Sequence, residues 1–110
     1  MATKANLVID QGSTYSTTLT MTDEYGDPLL LNGMQANSQM RKSYTSSNAT
    51  TFSTSIDIPT GTITLSLTSA QTGALVPGRY VYDVELTDIG ANTVSRVVEG
   101  IVTVTPQVTR

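Results

Sequence analysis

The chain has 110 residues, six Lys and Arg against nine Asp and Glu, a net charge of −3, and no His, Cys or Trp. That length fits one small domain, and the composition excludes imidazole acid–base catalysis, thiol nucleophiles, disulfides and Cys/His zinc sites within this chain. Six scattered cations on an acidic background argue against a nucleic-acid face. Charged residues are 14%, against about 25% in an average domain. Hydroxyl side chains fill the gap, with 20 Thr and 11 Ser.

Met1 to Asp10 lacks the basic flank and the apolar stretch of about 7–15 residues that mark a signal peptide. No purely aliphatic run exceeds the length of Leu29-Leu30-Leu31, far short of the roughly 18–20 residues of a membrane span. The expectation is synthesis in a cytoplasm, with no membrane partner. Asn48-Ala49-Thr50 matches a glycosylation sequon, which is fortuitous in an unsecreted chain.

Period-two alternation dominates, and Thr and Val dominate the alternation, which is strand chemistry. Leu7 and Ile9 give a first short strand, broken by Gln11-Gly12-Ser13. Tyr15, Thr17, Leu19 and Met21 then share one face, and Ser16, Thr18, Thr20 and Thr22 the other. This pattern predicts a half-buried strand with a hydroxyl-coated outer surface. The run from Asp23 to Pro28 is a turn; its carboxylates at Asp23, Glu24 and Asp27 do not have the spacing of a calcium loop. Leu29 to Leu31 reads as a buried crossing and Asn32-Gly33 as a second turn.

Met34 to Ser43 predicts a strand with Met34, Ala36, Ser38 and Met40 on one face. Tyr44 to Thr51 is a polar loop. Phe52, Thr54 and Ile56 suggest another strand, Pro59-Thr60-Gly61 a turn, and Ile63, Leu65 and Leu67 a further strand with clear alternation. Ser69 to Leu75 is the only plausible helical turn, with Ser69 as N-cap, Gly73 weakening it and Pro77 stopping it. Arg79 to Thr87 is the strongest strand, with Tyr80, Tyr82, Val84 and Leu86 inward. Asp88 to Asn92 is a hairpin loop. Thr93 to Thr105 is the last strand. Setting Glu85 opposite Arg96 makes a favourable cross-strand pair, but turns Val94 and Val98 outward, so a bulge near Glu99-Gly100 is expected to switch the face.

About seven short strands with turn signals every 8–12 residues describe an all-β, immunoglobulin-like antiparallel β-sandwich with one short helical turn. The expected domain is 1–110, with short arms at about 1–4 and 106–110. Leu75-Val76-Pro77-Gly78-Arg79-Tyr80 suits a tyrosine corner, in which the Tyr80 hydroxyl bonds back to upstream backbone. Asp83 and Glu85 lie side by side on one strand face rather than across a cleft, so they read as a solvated charge cluster with Arg79 and Arg96. Arg41 and Lys42 read as charges that deter stray edge pairing. No residue pattern calls for a catalytic role, a metal or a cofactor.

Several segments carry a family resemblance. They are Asp27-Pro28-Leu29-Leu30-Leu31-Asn32-Gly33; Gln39-Met40-Arg41-Lys42; the run Leu67 to Leu86, with Pro77-Gly78-Arg79-Tyr80-Val81-Tyr82-Asp83 inside it; and Glu99 to Arg110. Together they resemble small immunoglobulin-like proteins encoded among tailed-bacteriophage structural genes. The chain is similar to the N-terminal immunoglobulin-like domain of phage baseplate upper proteins over nearly its whole length, most strongly over the final 45 residues. Asn32, in place of a Thr, and Met34, in place of an aromatic, depart from that pattern.

The resemblance implies a non-enzymatic virion protein that contacts other phage structural proteins: major capsid, neck, tail or baseplate proteins. It implies a multi-copy or homo-oligomeric role in the particle. Candidate interface residues are Leu7 and Ile9 in the N-terminal strand, Tyr44 in the polar loop, and Val108 and Arg110 in the tail. The alternative is a carbohydrate- or host-surface-binding module using Tyr25 and Tyr44, the loop aromatics.

Overall fold

The computed structural model describes residues 3–22, 25–27, 29, 31–43 and 45–108. In chain order the strands are β1 (Thr3–Lys4), β2 (Leu7–Asp10), β3 (Tyr15–Thr20), β4 (Met34–Arg41), β5 (Thr50–Thr51), β6 (Ser53–Asp57) and β7 (Thr62–Leu67). A single-turn helix α1 (Ser69–Gly73) follows, then β8 (Gly78–Asp88) and β9 (Thr93–Thr105). Two sheets pack as an immunoglobulin-like β-sandwich. The large sheet runs β1-β9-β8-β4-β5, with β2 also paired to β9; the small sheet runs β3-β7-β6. Pairing is antiparallel except that β1 and β2 run parallel to β9, Leu7 beside Val102 and Ile9 beside Val104.

Alternation decides what lies between the sheets. Met40, Val84, Val98, Val102 and Val104 from the large sheet meet Ile63, Leu65 and Leu67 from the small one in one buried cluster. Phe52 is where the chain changes sheets. Its amide still donates to Ser38 O of β4, 3.0 Å, and two residues later Thr54 Oγ1 donates to Ala36 O, 2.9 Å. Its buried ring packs edge-on against Tyr82, with centroids 6.2 Å apart. The buried hydroxyls are satisfied: Ser38 donates to Asp83 O, 2.6 Å, and Thr72 to Ser13 O, 2.8 Å. This matters because an unpaired buried hydroxyl would cost about 1–3 kcal/mol.

Four expectations are corrected. Leu7 and Ile9 are not an interface: β2 packs parallel onto β9, and its alternation turns both inward, leaving Ile9 fully buried. Thr3 and Lys4, expected in a free arm, pair with Val98 and Glu99.

The other two concern local geometry. The helix N-cap is Thr68, one residue before Ser69. Gln71 N–H donates to Thr68 Oγ1, 3.2 Å, while Thr68 N–H donates to Gln71 Oε1, 2.8 Å, closing a capping box. The bulge lies at Val97 rather than near Glu99-Gly100. Val84 pairs with Val98 and Glu85 with Arg96, so Val97 is the extra residue, and Val98 joins the core instead of facing outward.

Candidate functional site

The outer face of the large sheet is assembled from the outward positions of β2, β4, β8 and β9. The strict alternation of β8 sends Tyr82, Val84 and Leu86 inward and therefore Val81, Asp83 and Glu85 outward. On β9 the bulge resets the face, so that beyond it Glu99, Ile101 and Thr103 point out. Val81 pairs directly with Ile101, and Val8 on β2 sits beside Thr103. Val81 and Ile101 are thus a direct cross-strand pair, and Val8 stands one diagonal step away, in line with Thr103 and Arg79, with Val8 63% and Ile101 40% exposed.

Beside this patch lies a charged groove of about 270 Å³, walled by Gln39, Arg41, Asp83, Glu85, Arg96 and Glu99. Arg96 reaches Asp83 and Glu99, each at 3.3 Å, although its register partner is Glu85. Both bridges are half-open to solvent, so each contributes at most about 1 kcal/mol. The carboxylates lie side by side with a guanidinium between two of them, and do not face one another across a cleft.

The face is braced from beneath. Gly100 lies opposite Tyr82 in the sheet, and the N-terminal segment passes so close that a Cβ on Gly100 would stand 2.1 Å from Ala5 O. Ala5 N–H donates to Glu99 O, 2.9 Å; Tyr82 Oη donates to Ala5 O, 2.5 Å; and Ile101 N–H donates to Asn6 Oδ1, 3.0 Å. These bonds fix β2, and with it Val8, against the sheet.

Burial, and secondarily the nearby Tyr15, pushes the Tyr82 phenol from its ordinary 10 up to about 12. Burial raises Tyr15 as well, opposed by a hydrogen bond with Thr17. Below pH 10 the Tyr82 phenol is neutral in folded and unfolded chains alike. Between about 10 and 12 the unfolded chain releases this proton and the folded chain keeps it, so stability falls as pH rises, by on the order of 2 kcal/mol. Tyr82→Phe is expected to flatten that part of a denaturant-derived pH–stability curve; an unchanged slope would remove Tyr82 as its source.

The remaining candidates are scattered. The Tyr80 hydroxyl donates to Val76 O at 2.6 Å, the upstream bond that a tyrosine corner makes. Val108 is 94% exposed beyond the end of β9. Tyr44 and Arg110 lie outside the described residues. Sequence reading missed Val8, Val81 and Ile101; the available signal was that Val8 is the one apolar residue on the opposite face of a strand whose Leu7 and Ile9 alternate. Among the described residues no helix is long and apolar enough to cross a membrane, and no group of three metal-ligating side chains is gathered.

No protein-family model matches the chain, and no curated protein matches it. Among solved structures 142 chains match, a scaffold shared so widely that fold alone assigns no function. The crystal structure of Listeria monocytogenes InlP aligns with a TM-score of 0.53 at 18% identity, over 94% of this chain and 28% of that chain. This chain therefore spans little more than a quarter of InlP, and the likeness shows an immunoglobulin-like β-sandwich.

Proposed function

We propose that this chain is a non-enzymatic structural component of a bacteriophage particle. It works by burying surface against neighbouring virion proteins, as a tail, baseplate or neck component or as a capsid decoration protein, in many copies per particle. In this reading it is made in the host cytoplasm and resides in the virion. The phage assignment rests on the sequence resemblance. The single structural observation that supports a contact role is the exposed Val81–Ile101 pair with Val8 on its diagonal, bordered by Arg79, Asp83, Arg96 and Glu99. The N-terminal strand retains a role in this reading, through Val8 in place of Leu7 and Ile9.

The test is the copy number of this chain in gradient-purified particles, by quantitative mass spectrometry against the major capsid protein. A fixed ratio is expected: hundreds of copies for head decoration, about 6 to 18 for a tail or baseplate position, as closed particle symmetry requires. Absence from particles would overturn the proposal.

A second reading, a glycan- or host-surface-binding module, draws on Tyr25, whose side chain is 81% exposed in the β3–β4 connection. Tyr25→Ala is expected to abolish cell binding if this reading holds; unchanged binding, or none by the parent protein, would end it.

A further inference from the structure

Of the small sheet's two outer strands, β3 is the one left open. It ends the order β3-β7-β6 and is paired to β7 from Tyr15 beside Leu67 to Thr20 beside Thr62. One step further along, Met21 N–H donates to Gly61 O at 2.8 Å. Main-chain groups alternate sides along an antiparallel strand, so Tyr15, Thr17 and Leu19 direct theirs at β7. The N–H and C=O groups of Ser16, Thr18 and Thr20 therefore point off the sheet. Among the described residues nothing bonds to them.

Sheet edges are ordinarily blunted by shortness, charge, proline or a bulge. The other edges of this protein follow that rule. β5 has two residues, and the β1–β2 edge is interrupted between Lys4 and Leu7 and carries Lys4 and Asp10. β6 ends on Asp57 and begins where Phe52 is still bonded to β4. β3 has none of these devices: Tyr-Ser-Thr-Thr-Leu-Thr runs six residues in unbroken register, without a charge, proline or glycine. Its inward face is also incompletely covered. Tyr15, Thr17 and Leu19 are only half-buried, whereas their β7 partners Leu67, Leu65 and Ile63 are buried.

We infer that β3 pairs with β3 of a second copy of this chain, antiparallel, about a two-fold axis at Thr18. The strand's own parity selects this occupant. With Thr18 opposite its counterpart, Ser16 faces Thr20, and each such pair exchanges both of its N–H···O bonds. A shifted axis leaves Ser16 or Thr20 beyond the end of the partner strand. The same register sets Leu19 beside Thr17 and Tyr15 beside Met21 of the second copy, so each half-buried flank covers the other. The two three-stranded sheets become one. A contact built on one short strand lies at the low end of interface sizes, which sets a Kd of about 100 µM. The inference goes beyond the particle role proposed above and does not rest on it.

The test is sedimentation equilibrium of the full chain from about 10 µM to about 1 mM in low salt. A monomer–dimer equilibrium is expected for the parent and for Ser55→Lys, which charges the outer face of the same sheet away from this edge. Thr18→Lys and Thr18→Glu are each expected to weaken the dimer about tenfold, because like charges meet at the axis. An equimolar mixture of the two is expected to recover the parent's dimer, since a two-fold axis at Thr18 sets opposite charges face to face. Thr18 is exposed, and an unchanged circular dichroism spectrum confirms that each variant is folded. The inference is overturned by a parent that stays monomeric at the highest concentration, by an undiminished dimer in Thr18→Lys, or by a mixture that stays monomeric. Association here is read on isolated protein. Its failure would leave the particle reading standing, and absence from particles would leave the dimer standing.

Discussion

Gly100→Val is expected to lower the unfolding free energy by about 3 kcal/mol or more, although the position lies on a partly exposed stretch of β9. The smallest side chain already has nowhere to go, because a Cβ would stand 2.1 Å from Ala5 O and 2.8 Å from Ala5 C, both backbone atoms. Neither can rotate away as a side-chain tip could. Relief therefore requires the whole β1–β2 segment to shift. A shift loosens the bonds from Tyr82 Oη to Ala5 O and from Ile101 N–H to Asn6 Oδ1, and partly withdraws Leu7 and Ile9 from the core. Overpacking alone costs about 1–3 kcal/mol, and each hydrogen bond adds about 1. Urea unfolding followed by circular dichroism measures the change. A loss below about 1 kcal/mol would mean that the Ala5 crossing slides without strain.

Ile9→Ala is expected to cost about 3 kcal/mol, whereas Val8→Ala, one residue away, is expected to cost less than about 0.5. Ile9 is 0% exposed, beside Val104 in the sheet, so truncation opens a cavity between two sheets that cannot close over it. Val8 is 63% exposed, so its truncation removes little buried surface. The paired measurement also fixes the register of the strand, since a one-residue slip exchanges the two faces. If Val8→Ala proves the more costly, the N-terminal strand sits one residue out of the register described.

Much of the sandwich was legible because its central strands carry strict alternation. Ile63, Leu65 and Leu67 on β7, and Tyr82, Val84 and Leu86 on β8, are apolar between polar neighbours, and they lie inward as that pattern requires. Opposite charge was enough to set Glu85 beside Arg96. The bulge was not locatable, because Val94, Val97 and Val98 are all apolar and alternation cannot say which is the extra residue. Gly100 attracted the assignment, yet its missing side chain makes room for Ala5 O instead. Thr68 and Ser69 are equally good caps in isolation, and only Gln71, three residues after Thr68, separates them.

The candidate site was the least legible part, for a physical reason. Leu7 and Ile9 read as a short strand open to a partner until the parallel strand β9 covers them. Val8, Val81 and Ile101 are single outward residues on three strands, and only the sheet brings them together.

We propose that the outer face of the large sheet is the surface by which the chain is held in a particle. It is tested most directly by the amount of variant protein incorporated into purified particles. Val8→Lys places a cation in the apolar patch, whereas Ser55→Lys places one on the outer face of the small sheet, where Ser55 is already exposed beside Thr64. Incorporation of Val8→Lys is expected to fall about tenfold with its fold intact, while Ser55→Lys incorporates at the level of the parent. Equal incorporation of both, or loss confined to Ser55→Lys, would contradict the assignment of the contact to this face.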